Sequence, residues 1–181
     1  MQIKKLDEAG YRSALLGLSF SHAVECDIDD CQYDFANMKK LSEALCKKDR
    51  GHNKFLEQIQ TWFIIRAPLY WWKQFDTYRV GVSKSSKSTM HTLMKKELKK
   101  SDFSEDIFIY TVEFLETLRR NKKFDTLNAE LPNGYLQTRL VNVNYKTLRN
   151  MIKQRKHHKL KEWEYFIGTV LLTVNRPELL E

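Results

Sequence analysis

The densest positive charge in this chain lies between Lys146 and Lys161. Seven Lys and Arg (146, 149, 153, 155, 156, 159 and 161) and the pair His157-His158 occur there with no acid. On a helix, Lys146, Arg149 and Lys153 share a face by three- and four-residue spacing. Such a face can neutralise phosphates, and the same charges also suit a solvated surface. Lys95, Lys96, Lys99 and Lys100 form a second cluster. The aromatics do not interleave with either cluster, as a base-stacking platform would require. A third candidate is Gln74-Phe75-Asp76-Thr77-Tyr78-Arg79, set between Trp71-Trp72 and the Ser/Lys run 83–88. Its donors suit the wall of a site, and its aromatics suit a packing element that turns a corner.

Other chemistries find little support. His22, Cys26 and Cys31, with Asp27, Asp29 and Asp30 beside them, are metal-ligand types. Their spacing matches no zinc pattern and no second ligand pair follows. The acids lack the Gly and terminal Glu of a calcium loop, so no metal is expected. There is no GxSxG nucleophile motif and no Gly-rich phosphate loop.

The 181 residues fit one domain spanning 1–181, and 42% hydrophobic content is enough for a core. Net charge is +8, which favours an anionic partner such as a nucleotide or nucleic acid. No apolar run is long enough to span a membrane. The start MQIKKLDEAG has no apolar stretch of a signal peptide. The three cysteines form no CxxC pair, which fits a reducing compartment, so a cytoplasmic protein is expected.

The elements that must position these residues read as mostly helical. Tyr11 to Phe20 has the bulk of a buried strand. Phe35, Met38, Leu41 and Leu45 recur at helical spacing across 34–47. Asp49 to Asn53 breaks that helix, and Asn53 can cap a next one whose face carries Phe55, Ile59, Trp62 and Phe63. Pro68 suits the first turn of a buried helix, Leu69 to Phe75. Arg79 to Val82 reads as a short strand or extended turn. Asp102 or Ser104 can cap a helix with Phe108, Val112, Leu115 and Leu118 inward. Leu131-Pro132-Asn133-Gly134 is turn chemistry. Helices follow over 144–155 and from Leu160 onward, the last ending before Pro177. No βαβα alternation occurs, which argues against a doubly wound parallel sheet.

Two separated blocks carry a resemblance. Residues 51–93 (GHNKFLEQIQTWFIIRAPLYWWKQFDTYRVGVSKSSKSTMHTL) and 131–166 (LPNGYLQTRLVNVNYKTLRNMIKQRKHHKLKEWEYF) resemble, in order, the flavin-dependent thymidylate synthase (ThyX) family. They look most like the short forms encoded by phages and prophages of Gram-positive bacteria, and the resemblance covers about residues 10–170. The family's Arg/Lys-Gln-x-x-Arg-His-Arg block is similar to Lys73 to Arg79. Gln74 and Arg79 match, Thr77 stands for the first motif Arg, and Tyr78 stands for its His. The Ser-x-Asn-Glu-x-Ser-x-Arg-Tyr block that follows falls on Val82, Lys84, Ser85, Lys87 and Thr89. The family's Leu-Pro matches Leu131-Pro132, with Asn128 where an Arg precedes it. Its Asn-x-Arg-x-Leu-x-Asn helix is similar to Asn144 to Asn150, and its later pyrimidine-orienting Arg matches Arg155.

The resemblance implies a helix-rich α+β fold with helices around a small antiparallel sheet. It also implies a homo-oligomer, tetramer or dimer, with active sites shared between subunits. FAD would be held by Tyr78, Arg79, Asn144, Lys146 and Asn150. A pyrimidine nucleotide would meet Gln74, Lys84, Lys87 and Arg155, with Arg155 catalytic. The implied reaction is flavin-dependent methylation, or a related one-carbon modification, of a deoxyuridylate-type nucleotide. The other reading is a non-catalytic phage protein of the same fold, whose basic surface binds nucleotide, nucleic acid or a host protein.

Overall fold

From Thr61 to Ala67 burial alternates residue by residue: Thr61, Phe63, Ile65 and Ala67 are buried, while Trp62, Ile64 and Arg66 are not. That period of two is a strand, and Thr, Trp, Phe and Ile suit one. The computed structural model describes residues 1–21, 28, 31–48 and 51–181.

Its strands are β1 (Gln2–Ala9), β2 (Gln60–Pro68), β3 (Val82–Ser86) and β4 (Leu136–Asn144). They form one antiparallel sheet in the order β1-β2-β4-β3. The helices are α1 (Tyr11–Ser19), α2 (Phe35–Leu45), α3 (Leu69–Phe75), α4 (Thr89–Thr92), α5 (Ile109–Arg120), α6 (Phe124–Ala129), α7 (Tyr145–Arg155) and α8 (Lys161–Thr173). The fold is the helix-rich α+β arrangement expected from the resemblance.

The chain divides into two compact units: residues 1–4, 64–78 and 84–140 in one, and 5–63, 79–83 and 141–181 in the other. In the first, Leu93, Leu98, Phe103, Val112, Leu115, Leu118, Leu127 and Tyr135 form a core cluster. Trp71, Trp72 and Phe75 are fully buried on α3, their ring centroids 5.0–5.4 Å apart. Truncating any one of them would cost about 3–5 kcal/mol. In the second unit, Leu15, Leu56, Tyr145, Leu148, Met151, Trp163 and Phe166 are fully buried.

Several expectations are corrected. Tyr11 to Phe20 is helix α1, not a strand: it holds no Val, Ile or Thr, and its Leu and Ala are strong helix formers. Gly10 opens α1 at φ +94°, where a Cβ would stand 2.2 Å from the Gln58 carbonyl oxygen. The face carrying Phe55, Ile59, Trp62 and Phe63 is not one helix. A 3-10 turn, Lys54–Gln58, gives way to β2, and Asn53 is buried without a capping bond. Phe108 is 77% exposed and precedes α5 without capping it. Asp102 bonds the Lys99 N–H across a 3-10 turn. The chain turns at 79–81 and β3 begins only at Val82. Strands β1 and β4 had no counterpart in the sequence reading. The helices expected over 34–47, 69–75, 144–155 and from 160 are present. His22, Cys26, Asp27, Asp29, Asp30, Asp49 and Arg50 lie outside the described residues.

Candidate functional site

In the first unit the Pro-Asn-Gly turn seats α3. The first N–H groups of a helix have no partner within it. Here Leu69 donates to the Tyr135 carbonyl at 3.0 Å and Tyr70 to the Asn133 carbonyl at 3.1 Å. So seated, α3 delivers Gln74 half-buried on its last turn and Asp76 just past its end. Tyr78 follows, buried, its ring edge-on to Phe75 with centroids 6.4 Å apart.

Asp76 is the hub of a polar network. Lys84 Nζ donates to its Oδ1 at 2.7 Å. Arg139 Nη1 donates to both carboxylate oxygens, at 2.8 and 3.0 Å. The Arg139 guanidinium lies 4.3 Å from the Trp72 ring centroid, a cation–π distance. Arg139 Nε donates to Gln137 Oε1 at 2.9 Å, and Trp72 Nε1 donates to the Gln137 carbonyl at 3.0 Å. Burial works against the Asp76 carboxylate, but the hydrogen bonds from Lys84 and Arg139 outweigh it and hold its pKa below the ordinary value. Lys84 is thus committed to Asp76.

Lys87 points elsewhere. It lines a cleft of about 310 Å³ with Arg66, Lys96, Asp102, Gln137 and Thr138. Asp102 is buried. Its Oδ1 accepts from Arg66 Nη2 at 3.1 Å and from Lys96 Nζ at 2.7 Å.

In the second unit, Arg79 is exposed in the turn before β3, with no partner among the described residues. Gly81, at φ +68°, accepts the Asn144 backbone N–H at 3.0 Å. Asn144 is buried and caps α7: its Oδ1 accepts the Thr147 N–H at 2.9 Å. This is a favoured N-cap arrangement. Lys146 pairs with Glu57. Asn150 is exposed and accepts from Gln154 Nε2 at 3.1 Å. Arg155 ends α7 with its guanidinium 5.0 Å from the Trp163 ring centroid.

The expected site residues therefore fall into two groups. Gln74, Tyr78, Lys84 and Lys87 belong to the first unit, and Arg79, Asn144, Lys146, Asn150 and Arg155 to the second. The basic face of residues 146–153 is less available than its spacing suggests. Arg149 is 5% exposed and donates to the Glu181 carbonyl, and Lys146 is ion-paired. Arg66, Asp102 and Arg139 were missed, and Asp76 was read only as part of the Gln74 to Arg79 stretch. The alternation of Val141 and Val143 could have revealed β4, and with it Arg139.

Fit to a flavin can be judged from the donors. Arg79 offers an uncommitted guanidinium to an anionic group, and Asn144 sits against the backbone of the adjoining turn. In the set that the resemblance assigns to the cofactor, Arg79 fits an anionic group, while Asn144 Oδ1 already serves the Thr147 N–H, Lys146 pairs with Glu57 and Tyr78 is buried. Among the described residues no group of three or more His, Cys, Asp and Glu is placed to hold a metal ion. No described helix is long and apolar enough to cross a membrane.

No family model and no curated protein sequence matches the chain. Solved structures do. The flavin-dependent thymidylate synthase ThyX from Helicobacter pylori, complexed with FAD and dUMP, superposes with a TM-score of 0.79 at 21% identity, covering 100% of this chain and 98% of that one. A second structure of the same enzyme with FAD and dUMP gives 0.77 at 20% identity over 98% and 95%. The UMP/dUMP methylase PolB from Streptomyces cacaoi, bound with 5-Br dUMP, gives 0.72 at 15% identity over 94% and 88%. At these identities the likeness shows the fold, and this chain has the ThyX fold.

Proposed function

We propose that this chain binds a flavin, FAD, and a pyrimidine nucleotide, and uses them for methylation or a related one-carbon modification of a deoxyuridylate-type base. The observation that carries the reading is the fold match over the whole chain to a protein complexed with FAD and dUMP. The ordered residue blocks that fall on α3, the 79–81 turn and α7 support it. Arg79, Tyr78, Asn144, Lys146 and Asn150 would hold the flavin. Bound in reduced form, the flavin supplies a hydride. Gln74, Lys87 and Arg155 would meet the nucleotide, Arg155 orienting and polarising the base. A guanidinium held against an aromatic face suits that task, because stacking fixes its plane. Lys84 would act through Asp76 rather than touch the nucleotide directly.

The same reading takes residues 1–181 as one functional domain, active as a homo-oligomer, tetramer or dimer, in the cytoplasm. It places the chain nearest the phage and prophage forms. The test is anaerobic. Reduced, FAD-loaded protein is mixed with dUMP and a methylene-folate donor, and flavin reoxidation is followed. Reoxidation that requires dUMP supports the enzyme. Flavin binding without dUMP-dependent reoxidation removes the catalytic half of the proposal.

A further inference from the structure

The second unit carries a cavity of about 320 Å³ lined by Glu8, Tyr11, Arg12, Ser13, Asn175 and Arg176 among others. None of its residues is assigned above to flavin or nucleotide. Glu8 is the one acid in the lining, and its side chain is only 4% exposed. Its Oε1 accepts from the Tyr145 hydroxyl at 2.6 Å. Its Oε2 accepts from Lys5 Nζ at 3.1 Å and from the Asn175 N–H at 2.8 Å. Lys5 thus balances Glu8, and Arg12 and Arg176 remain as two positive charges on the cavity wall. Each is held on a ring. Arg176 lies 4.7 Å from the Tyr11 ring centroid and Arg12 lies 5.8 Å from that of Phe35. The two rings pack edge-on, 6.2 Å apart. Both main chains are tied as well: the Arg176 N–H donates to the Tyr145 hydroxyl at 3.2 Å, and the Tyr33 hydroxyl donates to the Arg12 carbonyl at 3.2 Å. Among the described residues neither guanidinium has an ion pair or a hydrogen-bond acceptor.

We propose that this cavity is an anion site, separate from the residues assigned to flavin and nucleotide, and that it takes the phosphate group of a small phosphoester. Two like charges on one wall repel, and an anion between them turns that repulsion into attraction. Guanidinium forks match phosphate oxygens in pairs, and stacking holds each fork in a fixed plane. The start of α1 adds to the same field. Gly10 gives it no side-chain cap, so the first-turn N–H groups of Tyr11, Arg12 and Ser13 have no partner within the helix. A nucleic-acid strand is the less suited source. Strand binding uses ring faces on which bases stack, and here Tyr11 and Phe35 each already carry an arginine.

The experiment is calorimetric titration of the full-length protein with inorganic phosphate. The wild type should bind it. Arg12→Gln with Arg176→Gln should weaken binding by about tenfold or more. Lys123→Gln with Lys156→Gln removes equal charge at exposed residues outside the cavity and should stay within about twofold. Ser13→Glu puts a carboxylate into the first turn of α1, where an acid suits the helix. It keeps the fold while repelling phosphate, and should weaken binding by about tenfold. No binding by the wild type, equal losses in the two double variants, or wild-type affinity in Ser13→Glu overturns the proposal. Lys87→Gln, at a residue assigned to the nucleotide, should leave phosphate binding in place. If it alone abolishes that binding, the anion belongs to the nucleotide site and the proposal falls. An oligothymidylate that binds about tenfold tighter than phosphate, and loses that advantage in the arginine variant, overturns the small phosphoester as the source. None of these readouts depends on flavin or turnover, so they stand apart from the function proposed above.

Discussion

Arg139 donates from one guanidinium nitrogen to both carboxylate oxygens of Asp76, at 2.8 and 3.0 Å. The pair joins the end of α3 to β4, and Trp72 lies beneath it. Lys84 adds a second cation to the same carboxylate from β3. The two cations are not equivalent. Arg139 is 13% exposed at the side chain, bonds both carboxylate oxygens and stacks on Trp72, whereas Lys84 is 20% exposed and bonds one of them.

Arg139→Ala should therefore cost more than Lys84→Ala. The arginine variant loses a charge-assisted bond and a ring contact, about 2 kcal/mol. The lysine variant loses a single ion pair and a longer ring contact, to Phe75 at 5.7 Å, about 1 kcal/mol. Urea unfolding midpoints check the order. Equal losses would mean that the second carboxylate bond and the closer ring contact of Arg139 add nothing over Lys84.

Gly81→Ala should be more harmful than Asn144→Ala. The new Cβ would stand 2.3 Å from Asn144 Nδ2 and 2.7 Å from Thr147 Oγ1, on a backbone at φ +68°. It displaces the cap of α7 and strains the turn. About 2 kcal/mol or more is expected, against about 1 kcal/mol for the cap alone. Chemical denaturation of both variants measures the difference.

Glu116 sets an acid-side pH dependence. Hydrogen bonding from Arg119, with the Leu98 N–H and Arg120 adding to it, outweighs desolvation and lowers its pKa from 4.5 to about 2. A lowered carboxylate pKa stabilises the fold above the ordinary value, and that contribution fades as pH falls toward the folded value. Glu116→Gln should thus melt below the wild type at pH values above 4.5, with the gap closing as pH approaches about 2. A gap that stays constant across that window would contradict the assignment. Melting temperatures at a few pH values suffice.

How much of this was legible in sequence differs by element. Helices α2, α3 and α7 stood out because apolar spacing, Pro68 and the Asn144 cap agree with one another. β2 hid because Phe55, Ile59, Trp62 and Phe63 also fit a helical face, so two periods competed over one aromatic run. Tyr11 to Phe20 was misread because bulk, not β-branching, was taken as the strand signal. The candidate-site positions on α3 and α7 came from short blocks of sequence. The Asp76–Arg139 pair and the Asp102 cleft did not, because the first joins residues 63 apart and the second needs Arg66, 36 residues before Asp102, and no local pattern connects them.

Arg155→Gln should separate chemistry from folding. Loss of the guanidinium over Trp163 should cost about 1 kcal/mol of stability. Under the proposed function it should also slow dUMP-dependent flavin reoxidation by about a hundredfold or more. Flavin absorbance should stay unchanged, since Arg155 is assigned to the nucleotide. Stopped-flow reoxidation together with melting reads both effects.

The most direct test of the central claim is the visible absorption spectrum of the purified protein after equilibration with FAD and removal of free flavin. The account predicts a retained flavin band, shifted from that of free FAD and perturbed again when dUMP is added. A colourless protein whose spectrum dUMP does not change would contradict it.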